Sequence, residues 1–308
     1  LKREKTQAND RDIVEYTVDD LQEGAFFADC KRGVEKYFRE NKLDPRVHWE
    51  MYVKTFFILA GIVVGHYGSF FAANVSFGAA LVFAVLHGTC KAEVGVSIQH
   101  DANHGAYGNS RTWLHAMQLT LDIVGASSFM WKQQHVAGHH AYTNVEGIDP
   151  DIRCSEKDVR RVNEHQPHEA YHAVQHMYLG LMYGLLSLKS CFVDDFNAYF
   201  SGRIGWVKVM KFTTGEAVAF WGSKLAWAFY YLYLPAKYSA RPLTQLLALW
   251  TVTEFVTGWL LAFMFQVAHV VGEVHFFRLN KNNQLKRGWG EAQLMTSADF
   301  AHGRSEEH

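Results

Sequence analysis

From Met51 to Ile98 the chain is almost continuously apolar, and this run most limits the folds open to it. A helix crosses a bilayer in about 20 residues. The run is therefore too long for one span and fits two, with a turn inside 65–76, where Gly68, Ser69 and Asn74 occur. A second apolar pair covers roughly 216–234, closed by Pro235, and 243–266, with Pro242 in the short loop between them. The expected fold is an all-α integral membrane protein with four transmembrane helices in two hairpins. An aromatic content of 15% agrees with membrane contact, while the slightly negative mean hydropathy requires that much of the chain lie in water.

Four charged residues sit awkwardly in these spans. Lys54 lies near the first entry point and can snorkel. Lys91 and Glu93 predict that the second helix leaves the membrane near 86–90 and projects into water. Lys224, in the middle of the third span, predicts a side chain facing the protein interior or a partly interfacial helix.

The remainder divides around the spans. Residues 1–50 form a polar cytosolic lead-in with a helix over about 19–40, and 51–308 form the membrane domain. Residues 112–131 are apolar but interrupted by His115 and Asp122, which predicts an interfacial or re-entrant segment. Residues 141–168 are polar, with Asp149-Pro150-Asp151 as a turn. An amphipathic helix is expected over 169–192, then a basic and aromatic connector over 193–213. The net charge of -1 gives no reason to expect nucleic acid as a partner. The four cysteines match neither a zinc knuckle nor a disulfide framework and fit a reducing, cytosol-facing location. The chain begins with Leu and shows no signal peptide, which reads as a fragment or processed N-terminus.

Histidine is the compositional outlier, with 17 residues. His100 and His104 are four apart, as are His135 and His139, with His140 beside them; in a helix such pairs share a face. Two hairpins return the chain to its starting side, so both clusters and His269, after the fourth span, fall on one membrane face. Lys31, Arg32, Arg153, Arg160, Arg161, Arg203, Lys208 and Lys211 favour that face as the cytosolic one, although Lys237 and Arg241 blur the signal. Imidazoles suit iron, zinc, copper and nickel. Five or six exceed what one ion uses, which predicts a cap holding an all-histidine pair of metals. Such a site suits O2 chemistry on an unactivated CH2, with the apolar spans beside it holding an acyl chain.

The segments Gln99-His-Asp-Ala-Asn-His-Gly-Ala106 and Trp131-Lys-Gln-Gln-His-Val-Ala-Gly-His-His-Ala-Tyr-Thr-Asn144 resemble the first and second histidine boxes of membrane fatty acid desaturases, most closely the front-end group. Phe265–Val274, Asp149-Pro-Asp-Ile152 and Tyr171–Tyr178 also resemble that family. The resemblance covers roughly 45–303. It implies iron ligands at His100, His104, His135, His139, His140 and His269. It further implies a di-iron cofactor, O2 and a fatty acyl-lipid or acyl-CoA substrate. Electrons would come from cytochrome b5, separate or fused upstream, and its NADH reductase, and the enzyme would be multi-pass in the endoplasmic reticulum membrane with a cytosolic active site. The expected reaction is front-end desaturation, Δ5 by the second box, with Δ4, Δ6 and Δ8 open. The family's third box, Gln-x-x-His-His, is absent from the sequence. Trp289–Arg304 resembles its lead-in, so the expectation is a domain incomplete at its C-terminus and short of ligands. No His-Pro-Gly-Gly haem motif occurs.

Other readings remain. His168-Glu169-Ala170-Tyr171-His172 matches the His-Glu-x-x-His zinc metalloprotease pattern. A sphingolipid desaturase or lipid hydroxylase would use the same metal site. A non-enzymatic membrane metal-binding protein is a third reading. Gln266, one turn before His269, is a candidate to hold a metal-bound water.

Overall fold

The computed structural model describes residues 14–16, 21–152 and 158–298. Arg153, Cys154, His302, His308, the expected start of the first helix before Leu21 and the end of the Trp289–Arg304 stretch lie outside the described residues. The fold is mostly helical. Three helices among the described residues are long and apolar enough to cross a membrane: Trp49–Phe70, Phe77–Asn103 and Leu243–His269. The lead-in helix Leu21–Glu40 precedes them. Trp49–Phe70 and Phe77–Asn103 form a hairpin, and Ser76 caps the second helix by accepting from the Ala79 N–H at 3.3 Å.

The expected third span is a helix over 214–238 that runs straight through Pro235 rather than stopping there. A Thr213–Glu216 capping box starts it. Proline lacks an N–H, so the carbonyl four residues back loses its helical donor. That carbonyl belongs to Tyr231, and it accepts the Trp250 indole N–H at 3.0 Å. A wide π-turn over Ala228–Tyr233 leads into the proline. The two hairpin turns meet at one end of the bundle. There Arg241 donates to Ser69 O at 2.9 Å and Val75 O at 2.9 Å, so one of the two cations that blur the charge pattern caps the first turn.

Close helix packing needs small residues. A Cβ on Gly88 would meet Thr253 O at 2.6 Å, and one on Gly258 would meet Tyr183 O at 2.5 Å. The second contact brings in a nearly continuous helix over 170–201. It outlasts the expected end at Cys191, and its Ser187 donates to Glu254 Oε2 at 2.8 Å in the middle of Leu243–His269. The expected connector after it holds a short antiparallel hairpin, Arg203–Ile204 with Val207–Lys208.

Both anomalous lysines are buried and paired. Lys91 is 3% exposed and forms an ion pair with Glu254. The second helix therefore does not release Lys91 into water; it continues unbroken to Asn103 with the charge neutralised inside the bundle. Lys224 faces the interior, donating to Asp195 Oδ2 at 2.6 Å and Cys191 O at 3.0 Å. Asp195 also accepts the Ser127 N–H at 2.8 Å, and Ser127 caps the helix carrying the second histidine cluster. Lys224 thereby anchors the start of the segment on which His135, His139 and His140 sit.

Candidate metal centre

The first cluster follows a π-turn, Val94–Gln99, at the end of the second spanning helix. The second lies in another, Gln133–His139, followed by His140–Tyr142. A π-turn widens the helix and re-aims side chains, a device frequent at functional sites. The His100 and His104 rings lie 4.5 Å apart, and His100 is 5.3 Å from His135. His140 Nε2 lies 3.2 Å from both His104 Nε2 and His135 Nε2. The His139 and His269 rings are 4.7 Å apart. The six histidines expected as metal ligands thus meet in one place. One ligand atom from each of His100, His104 and His135 lies close enough to hold a single ion, and so does a set from His135, His139 and Asp151.

The outward ring nitrogens are fixed from behind. His135 Nδ1 is 2.6 Å from Asp151 Oδ2, and His139 Nδ1 is 2.9 Å from Asp149 Oδ2. His269 Nδ1 donates to Thr296 O at 3.0 Å. Each bond places the proton on Nδ1 and leaves Nε2 with a free pair, the tautomer a metal needs. Asp149 also accepts from Asn144 N at 2.9 Å and Asp151 N at 2.8 Å, which ties the turn to its own carboxylate. A Cβ on Gly138 would meet Pro150 Cγ at 2.6 Å and Val207 Cγ2 at 2.7 Å. The glycine lets the Asp-Pro-Asp turn press against the histidine helix. Trp131 stacks on His135 at 4.2 Å.

Burial decides the charge state of the cluster. Burial, then the neighbouring imidazoles, lowers His104 to about 4 and His140 to about 3. Burial also lowers His135, against the Asp151 bond. His139 moves the other way, because Asp149 outweighs burial. Burial would raise Asp151, but the His135 hydrogen bond and the imidazole charges hold it below the usual carboxylate range. Neutral, converging Nε2 atoms with carboxylates behind them suit a borderline transition metal such as iron or zinc.

The sequence reads Asp149 and Asp151 as a turn and as part of the family resemblance, but assigns them no role at the metal centre. Their signal was two carboxylates one residue apart, shortly after a histidine cluster. Gln266 is spent elsewhere, on the Tyr183 hydroxyl. The metalloprotease pattern is not assembled as a zinc site. His172 Nδ1 accepts the Glu169 N–H at 3.0 Å, and its Nε2 donates to Asp158 O at 3.0 Å. Both ring nitrogens are used, and Glu169 caps a short helical turn.

A helical membrane protein whose histidines converge beside its apolar helices is the class these features define. The fatty acid desaturase family model matches residues 76–305, and the chain belongs to that family. It is 48% identical over 282 residues to an acyl-lipid (8-3)-desaturase of Physcomitrium patens, covering 92% of this chain and 58% of that protein. An acyl-lipid (8-3)-desaturase of Mortierella alpina is 34% identical, covering 90% of this chain and 62% of its own. Delta(5) fatty acid desaturase A of Dictyostelium discoideum is 31% identical, covering 92% and 61%. The relatives place the chain with the front-end, histidine-box desaturases. The chain spans about three fifths of the length of these relatives. No solved structure gives a significant match.

Proposed function

We propose that the chain is the membrane core of a front-end desaturase that inserts a double bond into a polyunsaturated fatty acyl chain, at Δ5. The observation that carries this reading is the convergence of His100, His104, His135, His139, His140 and His269, backed by Asp149 and Asp151. These six histidines would supply most of the ligands of an iron pair. With electrons from cytochrome b5 and its NADH reductase, the bound iron pair would supply reduction of O2 to water coupled to removal of two hydrogens from adjacent methylenes. The protein's own part is to fix the imidazole tautomers, to hold His104, His135 and His140 in the neutral form and to present an acyl chain beside apolar helices. The Δ5 position is supported by the Dictyostelium relative, a Delta(5) fatty acid desaturase. Lipid-linked substrate is supported by the Physcomitrium and Mortierella relatives, both acyl-lipid desaturases.

The topology is four spans, with 214–238 as the third. Its support is the meeting of the two hairpin turns at one end of the bundle and the histidines at the other. That end faces the cytosol from the endoplasmic reticulum membrane, by the basic residues flanking the spans. Expression of the complete reading frame in a host fed defined polyunsaturated fatty acids tests the reading. The expected result is one new Δ5 double bond by chromatography. Iron-loaded protein that yields no new double bond from any substrate would sink it.

A further inference from the structure

We infer that the hairpin over 203–208 and the residues flanking it are a seat for phospholipid headgroups, with Lys208 and Lys211 on the phosphate. The strand register pairs Arg203 with Lys208 and Ile204 with Val207. Side chains of paired residues share a face. Ile204 is buried at 6%, and Val207 closes on Gly138 of the second histidine cluster. Arg203 and Lys208 therefore occupy the outer face.

Lys208 and Lys211 make no ion pair among the described residues, unlike Lys91 and Lys224. Between and beside the cations stand Phe200, Trp206 and Met210, which are 73%, 44% and 62% exposed. Large apolar side chains and two lysines without an ion pair, on and beside one small hairpin, are a poor surface for water. They are what a bilayer interface favours, where aromatic rings sit at headgroup depth and lysines meet phosphate. Continuity supports the location: the helix over 214–238, the third span of the topology proposed above, begins three residues after Lys211. The occupant is thus a phospholipid surface. The Val207–Gly138 contact makes the hairpin a direct support of the helix bearing His135, His139 and His140. A headgroup held there would dock a lipid-linked acyl chain next to the metal centre. This inference rests on the lipid-linked desaturase reading above.

The test is native mass spectrometry of the purified full chain in detergent, titrated with phosphatidylglycerol and, separately, with coenzyme A. Retention of phosphatidylglycerol should fall roughly tenfold in K208E/K211E and return in K208R/K211R. Should K208E/K211E fail to fold, K208Q/K211Q replaces it, and a matched melting temperature confirms folding. Equal retention by wild type and variant overturns the inference. So does a wild type that binds coenzyme A more tightly than phosphatidylglycerol and loses it in K208E/K211E, because the phosphate would then belong to a soluble acyl carrier. Desaturation assayed in the same preparations separates the two readings: lipid retention that follows the lysines stands whether or not product forms.

Discussion

His135 Nδ1 lies 2.6 Å from Asp151 Oδ2, and two residues earlier in the same turn Asp149 meets His139 Nδ1 at 2.9 Å. One short Asp-Pro-Asp segment therefore orients two imidazoles on successive turns of the second histidine helix. Outer carboxylates of this kind raise ligand basicity and fix the ring, and their loss costs about 10–100-fold in metal affinity or activity. Asp151→Ala should lower bound iron or turnover by about that factor. Metal analysis of the purified variant checks it; unchanged iron content and turnover would show that the pair does not orient a ligand.

Gly138 is the point where that turn touches the helix. Ala at this position must displace Pro150 or Val207, since its Cβ would sit 2.6 Å from Pro150 Cγ and 2.7 Å from Val207 Cγ2. Overpacking of this kind typically costs about 1–3 kcal/mol. The Pro150 clash also moves Asp149 and Asp151. Gly138→Ala should lower both the melting temperature and the iron content. A variant that loses neither would mean the turn yields freely.

The histidine cluster was legible because ligand spacing is local: His100 with His104 and His135 with His139 each declare a shared face. The spans were legible because apolar length is local too. What was hidden depends on contacts across the chain. Lys91 looked like a point of exit into water because its partner, Glu254, lies 163 residues away. Pro235 looked like a helix end because the indole of Trp250 that serves the freed carbonyl belongs to the next helix. The His168–His172 pattern looked catalytic because a motif cannot show that Asp158 O already occupies the His172 ring.

The Lys91–Glu254 pair is buried on both sides, with side chains 2% and 5% exposed. Removing one partner strands the other charge, which typically costs about 3–5 kcal/mol, whereas replacing both with apolar residues of similar volume is often neutral. Lys91→Met should therefore lower stability far more than Lys91→Met combined with Glu254→Leu. Thermal unfolding in detergent of the two variants and the wild type checks this. A double variant as unstable as the single one would show that Glu254 matters mainly through Ser187, whose hydroxyl it also accepts at 2.8 Å.

Acid should destabilise the metal-free protein through the cluster itself. Burial, then neighbouring imidazoles, holds His104 at about 4 and His140 at about 3, against about 6.5 in an unfolded chain. A depressed pKa means that the unfolded state takes up protons first. The stability these two groups contribute is fully present above pH ~6.5 and is lost as pH falls towards their folded values. His139, raised by Asp149 against its burial, works in the opposite sense and softens the loss. Denaturant unfolding of the iron-free chain between pH 7.5 and 4 should show falling stability below pH ~6.5. Carboxylates elsewhere contribute to any acid transition, so the decisive comparison is with His140→Gln. That variant cannot take up the proton in either state, and its curve should be flatter than the wild type's over this interval. Parallel curves would mean that the cluster does not govern the acid response.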